Sequence, residues 1–259
     1  MEAKILVVGD VVGRNGLEYL SRRLRRLKSS CGADFAVVNG ENAAGVGITP
    51  RQAEQIFDAG ADVITLGNHA FQKNEIFDML DDSPYLLRPH NFAAQSPGKG
   101  YCIAESRFGQ VLVMNLIGRC GMDFGPDNPF YAADRILKEA GNVKIRLLDF
   151  HAEASSEKLA MGFYLDGRVS AVWGTHTHVQ TSDCTVLPKG TGFICDVGMT
   201  GPKYSVLGVE PEQSVRMFLG YPKQKYTTAG GSCKLEAALF TVDSGSGKCC
   251  SVLSVRDEE

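Results

Sequence analysis

The chain has 259 residues, 44% of them hydrophobic, with 27 Lys and Arg against 30 Asp and Glu and a formal net charge of −3. That length can bury a sizeable core, and the near-balance of charge excludes a domain whose main task is to grip a nucleic-acid backbone. The N-terminal MEAKILVVGD has no basic flank or small-residue cleavage pattern, and no apolar stretch reaches the roughly 20 residues needed to span a bilayer, so a cytoplasmic protein without a membrane partner is expected.

Short β-type runs stand at KILVVG (4–9), FAVVN (35–39), DVITLG (62–67), QVLVMNL (110–116), VKIRLLDF (143–150) and VSAVWG (169–174). Helical patterns separate most of them. Over 17–28, Leu17, Leu20, Leu24 and Leu27 share one face, with Arg22, Arg23, Arg25 and Arg26 mostly on the other. The helix at 49–60 has Thr49 as N-cap, Pro50 at the first helical position and Gln52 to complete a capping box. The stretches 130–141 and 153–167 each run to a terminal glycine. Strand–helix alternation of this kind predicts an α/β protein with substantial parallel pairing. Beyond about residue 180, CTVLP, GFICDVG, KLEAALFTVD and CCSVLSV read as antiparallel strands, interrupted by a helix near 210–220. No linker, repeat or low-complexity tract divides the chain, which is read as one domain over 1–259. The eight cysteines lack Cys-x-x-Cys spacing and are expected as free thiols, with Cys184 and Cys195 as small core residues. Nothing assigns chemistry to the vicinal Cys249-Cys250.

Five of the β-runs end by delivering a carboxylate, carboxamide or imidazole. Asp10 follows the first, Glu41 and Asn42 the second, Asn68 and His69 the third, His151 the fifth, and His176 with His178 the sixth. In an α/β sheet the carboxyl ends of the strands share one edge, where ligands bind. Only His90, in RPHNF, lies away from these ends. In VWGTHTHV (172–179), alternation on an extended backbone points His176 and His178 to the same side. Taken singly, each residue has an ordinary explanation: Asp10 as a helix cap, Asn68 as a turn former, His151 as a satisfied buried imidazole. Five coincident strand ends argue for one shared site. Its inventory suits borderline divalent transition metals better than a thiolate zinc site or an all-oxygen calcium cage, and it exceeds what one tetrahedral ion needs.

Gly9-Asp10, Gly67-Asn68-His69, the histidine after the fifth strand and GTHTH at 174–178 resemble the calcineurin-like metallophosphoesterases. Two positions depart from that pattern. The usual Asp-x-His is Asp10-Val11-Val12, and the usual Gly-Asp-x-x-Asp is Gly40-Glu41-Asn42. Both departures are similar to the YmdB-like phosphodiesterases, through VVGDVVGRNG (7–16), VVNGENAAGVGIT (37–49), TLGNH (65–69), DFHAEA (149–154), WGTHTHVQT (173–181) and DVGMTGP (196–202), nearly the whole chain. The resemblance implies a four-layer α/β/β/α sandwich, two mixed sheets flanked by helices. It also implies hydrolysis of cyclic nucleotides, 2′,3′-cyclic first and 3′,5′-cyclic second, at a dinuclear centre of iron, with manganese or zinc as alternatives. One metal would be held by Asp10, Glu41, Asn42 and His178, the other by Glu41, Asn68, His151 and His176. Glu41 would bridge them, Asn42 would stand in for the missing first-motif histidine, and His69 would be the proton donor at the rim.

Two such ions, about 3.5–4 Å apart, can hold a bridging water, lower its pKa and aim it at phosphorus. After two carboxylates and a hydroxide are counted against them, their charge stays positive for a monoanionic phosphodiester. A protonated His69 could then serve the departing ribose oxygen. The glycine-rich loop at 40–49 reads more readily as a tight connection into the Thr49-capped helix than as a substrate seat. Asn115, Arg119 and Lys203 could meet phosphate or base, but nothing selects them. The expected partner is a small-molecule phosphodiester or cyclic nucleotide; a homo-oligomer is compatible with the sequence and not indicated by it. Two other classes compete: a single-zinc amide or ester hydrolase, and a regulatory nucleotide-sensing protein with little turnover. A full ligand set with a proton donor beside it ranks the enzyme first.

Overall fold

Apolar residues on the central strands alternate between two faces, and each face finds a cover. The structure is a computed structural model and describes residues 1–123, 125–222 and 224–259. Its elements in chain order are β1 (Glu2–Val8), β2 (Asp10–Val11), α1 (Gly13–Cys31), β3 (Phe35–Asn39), α2 (Pro50–Ala59), β4 (Val63–Thr65), α3 (Phe77–Asp82) and β5 (Leu86–Leu87). Then follow β6 (Tyr101–Ser106), β7 (Gly109–Ile117), α4 (Pro129–Glu139), β8 (Ile145–His151), α5 (Ser155–Leu165), β9 (Ala171–Thr175), β10 (Thr185–Val186) and β11 (Gly192–Ile194). The chain closes with β12 (Met199–Pro202), α6 (Pro211–Phe218), β13 (Cys233–Asp243) and β14 (Cys249–Glu258).

The first sheet runs β2-β12-β13-β1-β3-β4-β5, with β14 paired to β13; the second runs β10-β11-β9-β8-β7-β6. In the first, β1, β3, β4 and β5 are parallel, and β1 pairs antiparallel with β13. In the second, β7, β8, β9 and β11 are parallel between antiparallel edges. Leu6 and Val8 face α1 and α2, whereas Ile5 and Val7 face the second sheet. Likewise Val111 and Val113 enter the layer between the sheets, while Leu112 and Met114 pack on α4 and α5. These period-two partitions build three apolar layers, and hence the four-layer α/β/β/α sandwich of two mixed sheets. Trp173 from β9 and Phe240 from β13 meet across the middle layer with ring centroids 6.2 Å apart.

Several boundaries differ from the sequence reading. Helix α1 begins at Gly13, ahead of the leucine stripe, and Asp10 does not cap it: Val12 is the N-cap and makes no side-chain cap bond. The run at 62–67 shrinks to β4 because the chain leaves the sheet after Thr65. GFICDVG is antiparallel on one side only: β11 pairs antiparallel with β10 but parallel with β9, and β12 pairs antiparallel with β13 but parallel with β2. Strand β6 has no forerunner in the sequence reading: its apolar residues Tyr101 to Ala104 stand consecutively and do not alternate with polar ones, although as an edge strand it buries only Cys102 and Ala104.

The capping box on α2 is formed: the Gln52 N–H donates to Thr49 Oγ1, and the Thr49 N–H to Gln52 Oε1. Gln52 Nε2 also donates to the Ala43 carbonyl at 3.0 Å, which makes the glycine-rich loop a braced connection. All eight cysteines are free. Cys195 is buried and Cys184 half-buried; Cys249 and Cys250 point to opposite faces of β14, one buried and one exposed. Among the described residues no helix is long and apolar enough to cross a membrane.

Because Phe240 fills the layer between the sheets, Phe240→Ala is expected to lower unfolding free energy by about 3–5 kcal/mol. Urea denaturation measures it, and a loss below about 1 kcal/mol would show that this contact does not hold the sheets together.

Candidate active site

The carboxyl ends of β1, β3 and β4 in one sheet and of β8 and β9 in the other meet at one end of the sandwich. Asp10 opens β2 just beyond β1, Glu41 and Asn42 follow β3, and Asn68 and His69 follow β4; His151 ends β8, and His176 and His178 follow β9. Asp10, Glu41 and His151 are fully buried. His151 Nε2 lies 2.8 Å from Asn68 Oδ1, 3.1 Å from Glu41 Oε1 and 3.1 Å from His176 Nδ1. One ring hydrogen cannot serve three neighbours, so these atoms surround a point rather than share one bond. The ligand atoms of Glu41, His151 and His176 lie within 4.8 Å of one another. Next to them Asn42 Nδ2 stands 3.2 Å from both Glu41 Oε1 and His178 Nε2. Asp10 Oδ1 is 3.6 Å from His178 Nε2, and this buried oxygen has no hydrogen-bond partner. Asn42 presents its amide nitrogen here; only with the amide turned over would its oxygen face the site.

The outer nitrogens of the three imidazoles are all engaged. The Thr175 hydroxyl donates to Asp149 Oδ1 at 2.7 Å, so it accepts the Nδ1–H of His151 at 2.9 Å. His178 Nδ1 donates to the Leu207 carbonyl at 3.0 Å, and His176 Nε2 stands 3.1 Å from Glu153 Oε2. With N–H on the outer side, each ring turns its other nitrogen toward Asp10 and Glu41, the arrangement that orients metal-ligating histidines. Asp149 is itself held by Thr65 at 2.5 Å and by Asn39 at 3.3 Å, and Asn39 Oδ1 accepts the Glu41 N–H at 3.2 Å.

Protonation follows the crowding. Burial opposes charge on His151, but Glu41, Asp10 and Asp149 raise it to about 9. Burial and the neighbouring His151 lower His176 to about 4. Burial would raise Asp10 and Glu41, yet His178 holds the first, and His151 the second, below the usual carboxylate range. Burial raises Asp149 to about 6, against the hydrogen bonds it accepts. The carboxylates thus call for positive charge in the space they share, and their nitrogen and oxygen donors fit a divalent transition metal. Gly67 keeps that space open: a Cβ there would lie 2.3 Å from His151 Nε2 and 2.4 Å from Glu41 Oε2.

The route by which the paired histidines meet corrects the strand-alternation argument. β9 stops at Thr175, and His176 and His178 take φ values of +99° and +62°. The left-handed region costs a non-glycine residue on the order of 1–3 kcal/mol. A turn, not the pleat, swings both rings off the sheet edge. His69 sits at the rim, its N–H donating to Glu41 Oε2 at 3.1 Å and its Nε2 3.3 Å from Asn68 Nδ2.

Residues outside the cluster sort plainly. His90 packs edge-on against Tyr101. Asn115 is buried and donates to the Leu66 and Leu87 carbonyls, and Lys203 pairs with Glu258; neither has a hydrogen bond or ion pair to the cluster. Arg119 is exposed and its N–H donates to Glu157. Sequence reasoning missed Glu153, Asp149, Asn39, Thr175 and Leu207. Asn39 and Asp149 carried a signal, as polar residues inside apolar strands; the Leu207 carbonyl had none.

A family model described as YmdB-like protein matches residues 6–255. Over 253 residues, covering 96% of this chain and 95% of the relative, the chain is 44% identical to the 2′,3′-cyclic-nucleotide 2′-phosphodiesterase of Bacillus subtilis. A crystal structure of a phosphatase from Mycoplasma pneumoniae superposes with a TM-score of 0.94 at 33% identity, covering 100% of this chain and 94% of that one. The NAD nucleotidase of Haemophilus influenzae shares the fold alone, with a TM-score of 0.60 at 12% identity over 99% of this chain and 56% of that one. The chain therefore belongs to the YmdB-like protein family and is an enzyme, a phosphodiesterase or phosphatase of the metallophosphoesterase type.

Proposed function

We propose that residues 1–259 form a single catalytic domain that hydrolyses cyclic phosphodiesters of nucleotides with two divalent cations bound. Glu41, Asn68, His151 and His176 hold one cation; Asp10, Glu41, Asn42 and His178 hold the other, with Glu41 common to both. The observation that carries this reading is the orientation of the three imidazoles, whose outer nitrogens are engaged and whose inner nitrogens converge on two buried carboxylates. Asp10 Oδ1, buried and without a hydrogen-bond partner, supports the second set, which a single-zinc reading leaves without a purpose. Iron is the first candidate metal, with manganese and zinc compatible with the same donors. When bound, such cations withdraw charge from the phosphoryl oxygens and acidify a water.

The rest falls to the chain. Asp10 and Glu41 keep the net charge low enough for a monoanionic substrate to enter and leave. In this reading His69, which lies beside Asn68 and outside both donor sets, protonates the departing ribose oxygen, which leaves poorly without a proton. The substrate class is 2′,3′-cyclic nucleotides, the class named for the Bacillus subtilis relative, with 3′,5′-cyclic nucleotides as the second group to test. A small substrate of this kind, met in the cytoplasm, is consistent with the balanced charge.

Anaerobic purification, metal analysis and an assay on 2′,3′- and 3′,5′-cyclic nucleotides test the proposal; one zinc per chain with no phosphodiesterase activity would overturn it. Glu41→Gln should weaken both cations together, whereas His176→Ala and His178→Ala should each lose mainly one. Anomalous diffraction at the metal edge reads the occupancies, and loss of the same ion in both histidine variants would contradict the assignment. His69→Ala should keep both metals and lose on the order of 10²–10⁴-fold on cyclic nucleotides, but far less on bis-p-nitrophenyl phosphate, whose leaving group needs no proton. Equal losses on the two substrates would exclude His69 as the acid.

A further inference from the structure

Thr177 stands between the two histidines, and its role is not accounted for by the donor sets. Its N–H and its hydroxyl both donate to one oxygen, Asp196 Oδ2, at 3.1 and 2.8 Å. Lys158 Nζ reaches the same oxygen at 2.7 Å, and the Gly198 N–H donates to Asp196 Oδ1 at 2.9 Å. This ion pair is closed to solvent, with the lysine side chain 2% exposed and the aspartate 1%. Lys158 comes from α5 and crosses the end of β9 at Gly174, where a Cβ would lie 2.7 Å from Lys158 Cδ and 1.8 Å from the Cys195 carbonyl oxygen. The glycine of GTHTH and the aspartate of DVGMTGP thus serve one contact. What they hold is the turn in which His176 and His178 take left-handed backbone angles that neither residue favours.

We propose that Lys158, Asp196 and Thr177 are positioning residues: a buried clamp that fixes the His176-Thr177-His178 turn and thereby sets the two imidazoles for their separate cations. The clamp touches neither substrate nor cation. It acts from outside the donor sets, by holding Thr177 in place so that its neighbours His176 and His178 keep their left-handed angles. A buried ion pair is weak evidence of stabilisation, since apolar residues of similar volume often replace one without loss. Here both donors of a single threonine converge on it from between two histidines, and this is what ties the pair to the site. The proposal rests on the assignment of His176 and His178 as ligands.

The test is calorimetric titration of metal-free protein with Mn²⁺, alongside thermal unfolding of the same metal-free samples. Thr177→Val removes the hydroxyl donor at nearly constant volume, and Thr177→Ser restores it. If the clamp positions the histidines, Thr177→Val lowers Mn²⁺ affinity on the order of 10- to 100-fold, Thr177→Ser recovers it, and the metal-free melting temperature of both stays near wild type. Asp196→Asn should lower affinity as well, and its melting temperature shows how much of that loss is unfolding. Wild-type Mn²⁺ affinity in Thr177→Val and in folded Asp196→Asn would overturn the clamp while leaving the ligand assignment standing. Wild-type affinity in His178→Ala and His176→Ala would instead overturn the ligand assignment, and the clamp with it.

Discussion

Asp10 and Glu41 are taken out of water at adjoining strand ends, where two carboxylates lose their hydration and repel each other. The surroundings of the site are arranged against that penalty. Backbone N–H groups of His176 and His69 donate to one oxygen of each, and imidazoles approach the others. Burial alone would drive both groups toward protonation, yet each is held below the usual carboxylate range. The three imidazoles must in turn be oriented, because a ring free to rotate could present either nitrogen. Thr175, Glu153 and the Leu207 carbonyl supply that control from outside.

Two sheets make this concentration of polar groups affordable in space, since each brings strand ends to the same place from a different side. Their inner faces are apolar over most of the layer, through residues such as Val7, Val37, Val113 and Trp173. Near the site the layer turns polar and closed: Asp149 of the second sheet accepts from Thr65 and Asn39 of the first, and from its neighbour Thr175. This seam joins the sheets directly beneath the ligand-type residues and links His151 to Glu41 through Thr175, Asp149 and Asn39. A displacement of one sheet against the other would therefore be felt at both. Glycine at 67 allows the approach, because no side chain of any size fits between His151 and Glu41.

Much of the architecture was legible in local pattern. The leucine stripe of α1, the capping box of α2 and the run Phe35–Asn39 depend on residues close in sequence, so periodicity and capping chemistry suffice to read them. The clustering of Asp10, Glu41, Asn42, Asn68, His69, His151, His176 and His178 was also legible, because each stands at or just beyond the end of a recognisable strand. The His-x-His pair departs from the alternation its sequence suggests: the pleat of β9 ends at Thr175, and nothing local signals that His176 and His178 will adopt positive φ. Short and edge strands such as β2, β5 and β6 escaped for a related reason: their pairing comes from distant partners and leaves little periodicity in their own residues.

By itself the sequence determined the α/β alternation, the strand ends that carry carboxylate, carboxamide and imidazole, and through its motifs the resemblance to a family. These are properties of residues and their near neighbours. Only the tertiary structure decided that two sheets present their ends to one site, that β11 and β12 each pair in parallel on one side, and that Glu153 and Leu207 orient two of the histidines. It alone placed Lys158 of α5 against Asp196 behind Thr177. Such contacts join residues remote in the chain, and their partners are chosen by the packing of whole layers. An imidazole looks the same in sequence whichever nitrogen carries the proton; the neighbour that fixes it is a matter of three-dimensional arrangement.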